Sequence, residues 1–167
     1  YDTTTAKRMG VGLGEDSWLL KAGDYTNNNG AGWKAWHNSL EVLPPDYWKA
    51  QGKNNWFSDD GTQLCYTARG NSAGTYDLMT TLAAERIQAS LIKNVDNKQY
   101  TTVQLGIEDC YQTCTCAGCN AIISQYGSVS ATVIIFLNDV AVKVNSWMAR
   151  NPQYARDLQY MFFAYNE

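Results

Sequence analysis

The C-terminal half of the chain reads as strand, helix, strand, and that order leaves little freedom in how it can fold. Val103, Leu105 and Ile107 alternate with Thr102, Gln104 and Gly106, which predicts a strand over residues 99–107. From about residue 130 to 148, Val133, Phe136, Leu137, Val140, Val144 and Trp147 recur at helical spacing, and Pro152 supports a stop just beyond. Residues 158–165 (LQYMFFAY) then read as a buried strand. Upstream, Met79, Ala83, Ile87 and Leu91 step by four with Leu82 beside them, predicting a helix from Thr75 or Tyr76 to Lys93. Residues 64–67 (LCYT) read as a short buried strand, and residues 6–13 as a first strand with Met9, Val11 and Leu13 alternating. Strands alternating with helices of this length predict βαβ units and a parallel sheet, an α/β fold of about four parallel strands. Residues 22–60 read as one long irregular loop, and a loop of that length inside a compact domain is usually functional.

The 167 residues are enough for a single domain over 1–167, and 45% hydrophobic against 17% charged residues is enough to bury a core. A net charge of −3 and a pI near 5.1 exclude a nucleic-acid binder, which needs clustered Lys and Arg. The longest apolar stretch, residues 131–137, is too short for a bilayer that needs about 20 residues. No signal peptide is present, and the chain opens at Tyr1 without Met, so it is expected to be a processed product or a piece of something longer. The last strand stops close to the end of the chain with no helix after it, an odd place for a natural domain to finish.

In α/β barrels and open parallel sheets, chemistry gathers at the carboxyl ends of strands. Glu108 and Asp109 are the strongest candidates, two adjacent carboxylates that follow the clearest strand and open a loop. The bland alternative is a turn that caps the next segment, and strand register decides which carboxylate faces inward. The single histidine, His37, lies in Trp33-Lys34-Ala35-Trp36-His37-Asn38-Ser39. Aromatic rings in a polar loop suit the CH face of a sugar, while Asn38 and His37 suit its hydroxyls. Against that, Trp33, Trp36, Trp48 and Trp56 can equally pack as a small core of the loop itself. Cys114-x-Cys116-x2-Cys119 supplies three ligands of a zinc site, with Cys65 or Cys110 as the fourth; the same spacing also admits disulfides in an oxidising compartment.

These residues together resemble the DUF4838 family. The matching segments are His37-Asn38-Ser39, Pro44-Pro45-Asp46-Tyr47, Leu64-Cys65-Tyr66-Thr67, Asp109 with the cysteine triplet behind it, Asn138 with Ala141, and Ala164-Tyr165. The likeness runs from about residue 36 to 165. It departs from the family pattern at Ala68, where Asn is usual, at Glu108, where Asn is frequent, and at Asn38, which separates His37 from Ser39. The resemblance implies a secreted or periplasmic glycoside hydrolase-like (β/α)8 barrel, related in fold to hexosaminidase and α-glucuronidase type enzymes. This chain would then be about half of it, a partial TIM-type barrel with a long first βα loop. It implies a carbohydrate ligand, Asp109 and Glu108 in acid/base work, and substrate contacts from His37, Trp36, Asn38, Tyr165 and Glu167. No cofactor is required, with zinc at Cys114, Cys116, Cys119 and Cys65 or else disulfides there. An exposed sheet edge would invite self-association. The competing expectations are a non-catalytic carbohydrate-binding domain and a cysteine-stabilised structural module.

Overall fold

The computed structural model describes residues 19–21, 39–71, 73–105, 107–108, 110, 112–162 and 164. The elements in chain order are β1 (Leu19–Lys21), α1 (Ser39–Val42), α2 (Pro45–Ala50), a 3-10 turn (Asn54–Trp56), α3 (Ala68–Asn71), α4 (Ala73–Lys93), β2 (Tyr100–Gln104), α5 (Ala117–Tyr126), α6 (Ser130–Arg150), a second 3-10 turn (Pro152–Tyr154) and β3 (Gln159–Met161). The long helices form where the apolar spacing demands. On α4 the buried positions include Met79, Ala83, Ile87 and Leu91, and on α6 they include Val133, Phe136, Leu137, Val140 and Val144. Helix α5 ends at Gly127, whose φ of 72° supplies the left-handed C-cap. After α6, Pro152 blocks continuation of the helix, and Trp147 stacks on Tyr154 with ring centroids 5.2 Å apart.

The sheet has the order β1-β2-β3. Strand β3 runs parallel to β2, with Thr102 opposite Gln159 and Gln104 opposite Met161, so β2, the α5–α6 pair and β3 form a βαβ unit. Val103 and Leu105 line a small apolar cavity with Ala83 and Ile87 of α4 and with Leu137 and Val140 of α6. Thr102 and Gln104 are also buried, at 2% and 0% exposure. A strand covered on both faces is what a crossover connection produces.

The structure corrects several local expectations. Among the described residues one strand pair is parallel, and β1 runs antiparallel to β2, with Leu19 opposite Val103. Residues 64–67 are no strand: Leu64 makes a single bridge to Phe57, and the chain then turns. The turn wins because the Cys65 N–H donates back to the Trp56 carbonyl at 2.8 Å and the Ala68 N–H to the Cys65 carbonyl at 2.8 Å. The irregular loop holds α1, α2 and a 3-10 turn, with Pro45 at the first position of α2, where its missing N–H has no intrahelical partner to lose. Trp48 and Trp56 lie 7% and 0% exposed in the main core with ring centroids 5.1 Å apart, so these two rings are packing. Helix α5 was not expected, because its buried face reduces to Cys119 and leaves no apolar period to read. The expected first strand over residues 6–13 lies outside the described residues.

Candidate metal centre and carboxylate edge

Cys65 follows the Phe57–Leu64 bridge into a turn whose Ala68, Arg69 and Gly70 have φ of 49°, 51° and 98°. That left-handed run brings the Arg69 N–H onto the Cys65 sulfur at 2.8 Å. For the non-glycine residues it costs about 1–2 kcal/mol each. Asn tolerates this conformation better than Ala. On the other side, Cys116 is the N-cap of α5 and its sulfur accepts from the Cys119 N–H at 3.5 Å. Gly118 lets the two segments meet: a Cβ there would lie 2.8 Å from the Gly70 Cα and 2.8 Å from the Thr67 hydroxyl oxygen.

The outcome is a cluster of Cys65, Cys114, Cys116 and Cys119 whose sulfurs all lie within 4.8 Å of one another. Cys65 Sγ is 3.6 Å from Cys116 Sγ and 3.9 Å from Cys119 Sγ. Four Zn–S bonds of about 2.3 Å in a tetrahedron put sulfurs about 3.8 Å apart. A disulfide needs about 2.05 Å, and all five cysteines are free thiols. Four sulfurs this close could hold a single metal ion; a multi-iron cluster would need room for several irons and sulfides inside it. Cys110, the other candidate for fourth ligand, sits apart on the Gln63 amide at 3.1 Å and the Thr62 hydroxyl at 3.7 Å.

The thiols share charge unequally. Hydrogen bonding with Cys114 and Cys119, together with Arg69 and Thr67, holds the Cys65 ionisation far below the ordinary thiol range despite burial. Cys119 acts to lower Cys114, but Cys65 and burial outweigh it and push Cys114 up to about 12. Cys119 is raised by Cys114, Cys65 and burial. One thiolate among neighbouring thiols is what such a pocket tolerates; a cation is what lets the others ionise. The Thr67 hydroxyl lies 3.2 Å from Cys119 Sγ and 3.4 Å from Cys116 Sγ, a polar neighbour to the cluster. Sequence spacing selects the cysteines but not Thr67, which enters there only as part of the Leu64-Cys65-Tyr66-Thr67 segment.

At the carboxyl end of β2, the Glu108 carboxylate reaches back to α1. Its Oε1 accepts from the Ser39 hydroxyl at 2.8 Å and from the Leu40 N–H at 2.9 Å. The structure therefore ties the segment after His37 to the strand end that carries the paired carboxylates. It also gives Glu108 a capping role at the start of α1. Asp109, His37, Trp36, Asn38, Tyr165 and Glu167 lie outside the described residues. Among the described residues, no single helix is long and apolar enough to cross a membrane.

Fold and site together define a mixed α/β domain with an apolar core and, separate from it, a four-cysteine cluster. The chain belongs to the DUF4838 family, a domain of unknown function, whose family model matches residues 1–158. No curated protein and no solved structure matches it.

Proposed function

We propose that the chain is part of a zinc-stabilised, glycoside hydrolase-like barrel that acts on complex carbohydrates in a secreted or periplasmic setting. The observation that carries the reading is the Ser39–Glu108 contact, which joins the His37-Asn38-Ser39 segment to the carboxylate pair across 69 positions. The His37 segment suits sugar hydroxyls, Glu108 and Asp109 follow the clearest strand, and barrels place their sites at strand ends. Asp109 is assigned the acid/base step. Glu108 supports it from its capping position, and His37, Asn38, Trp36, Tyr165 and Glu167 contact the sugar. Protonation of the leaving oxygen by one carboxyl group, with a second carboxylate or a substrate group stabilising the oxocarbenium-like centre, is the chemistry available to such an edge. The exposed edge of the sheet is the proposed surface for self-association.

Zinc is the ion the thiol set favours. Four soft ligands at tetrahedral spacing and no open position describe a structural centre. Its role here is to pin the loop that follows Glu108 and Asp109.

The test is incubation of the protein with a panel of host and plant glycans, wild type against Asp109→Asn, with products read by mass spectrometry. Release of one sugar by wild type alone supports the hydrolase. Retention of glycans without release moves the reading to a carbohydrate-binding domain. Neither release nor retention leaves the cysteine-stabilised structural module.

A further inference from the structure

Gln63 belongs to neither the cysteine motif nor the carboxylate pair, yet it is 3% exposed and bonds to Glu108 and Cys110. Its Oε1 accepts from the Glu108 N–H at 3.0 Å, and its Nε2 donates to the Glu108 carbonyl at 2.8 Å and to Cys110 Sγ at 3.1 Å. One side-chain amide thus pairs with both backbone groups of a single residue, as a neighbouring strand would. Gln63 is itself pinned, since its N–H donates to the Ser58 hydroxyl at 3.0 Å and its carbonyl accepts from the Ser58 N–H at 2.9 Å. The segments that Gln63 joins each run into a cluster sulfur: Cys65 lies just beyond Gln63, and Cys114 ends the loop that Glu108 opens.

We infer that Gln63 is a positioning residue that couples occupancy of the metal centre to the Glu108 carboxylate. The inference rests on the metal reading of the four cysteines. An ion that draws Cys65 and Cys114 into one coordination shell fixes the two segments at one end, and the bidentate Gln63 amide transmits that fixed spacing to the Glu108 backbone. The Glu108 side chain is then held where it reaches Ser39 and Leu40. Release of the ion lets the segments part, loosens the amide pair and frees α1 from the strand end. Coupling between two sites is reciprocal, so disturbing the Glu108–Ser39 contact weakens metal binding.

The experiment measures zinc affinity by competition with a chromophoric chelator for the reduced whole protein as wild type, Ser39→Ala, Gln63→Leu and the double variant. The expected result is that Ser39→Ala weakens zinc by about fivefold or more in the wild-type background and has no further effect once Gln63 is Leu. Ser39→Ala leaving the affinity unchanged, or weakening it equally in both backgrounds, would overturn the coupling while leaving the metal reading intact. Should Gln63→Leu fail to fold, hydrogen exchange at the Leu40 amide in wild type decides instead. Slower exchange with zinc than without supports the inference, and equal exchange sinks it. Failure of the wild type to take up zinc would overturn the metal reading and the coupling with it.

Discussion

The Glu108 carboxylate oxygen that accepts the Ser39 hydroxyl at 2.8 Å also takes the Leu40 N–H at 2.9 Å, so one oxygen caps α1 from the far end of a strand. Helix α1, Ser39–Val42, is too short to hold by propensity alone. Glu108→Ala is expected to cost about 1–3 kcal/mol in urea unfolding, because it strands the buried Ser39 hydroxyl and the half-buried Leu40 N–H. Glu108→Gln, which keeps an acceptor, should cost less than half of that. Equal losses would show that the charge, not the acceptor geometry, holds α1.

Cys65 and Cys110 compete on spacing for the fourth ligand position, and only Cys65 lies within the cluster. Cobalt substitution should therefore give a tetrahedral thiolate spectrum in wild type and in Cys110→Ser, and lose it in Cys65→Ser. Zinc at a hundred times its Kd should add about 2.7 kcal/mol of stability, read as a rise in Tm that a chelator reverses. A protein unaffected by chelator and unfolded only by reductant would instead be held by disulfides.

Gly118 and Gly127 separate crowding from backbone strain. A Cβ at Gly118 meets the Gly70 Cα at 2.8 Å, whereas Gly127, with φ at +72°, has open space around it. Gly118→Ala should cost about 1–3 kcal/mol and weaken zinc binding, because it wedges α5 off the Cys65 turn. Gly127→Ala should cost about 1 kcal/mol through its left-handed backbone and leave zinc binding untouched. Competition titrations and denaturant curves on the two variants check both.

Burial raises the Tyr76 hydroxyl above its ordinary pKa, and the bond it donates to Asp139 at 2.7 Å raises it further. A raised folded-state value means that the unfolded chain ionises first. This contribution is full below about pH 10 and is lost as pH rises above it. Tyr76→Phe should flatten the fall in Tm between about pH 9.5 and 11. An alkaline limb of unchanged steepness would assign the loss to the other buried tyrosines.

The helices were legible from sequence because their period is local. The four-step spacing of Met79, Ala83, Ile87 and Leu91 places them on one face whatever the chain around them does, and α4 and α6 formed where that spacing lay. The strand expected over 99–107 formed as β2 over Tyr100–Gln104, with Leu105 and Ile107 beyond its end and Thr102 and Gln104 buried beside Val103, and β3 returned parallel to it. The cysteine triplet was equally plain, but its spacing left Cys65 and Cys110 as rivals and zinc and disulfides undecided. Tertiary structure decided among the ligands: the left-handed turn at Ala68 and Arg69 and the backbone contact at Gly118 bring Cys65, not Cys110, to the α5 terminus. It also turned residues 64–67 from an expected strand into a bend, and gave Glu108 a capping contact with Ser39. None of these has a period to read. The bend rests on backbone bonds from Cys65 to Trp56 and from Ala68 to Cys65, and the Glu108 contacts join segments about 45 to 69 positions apart, whose energy exists only once the chain has folded.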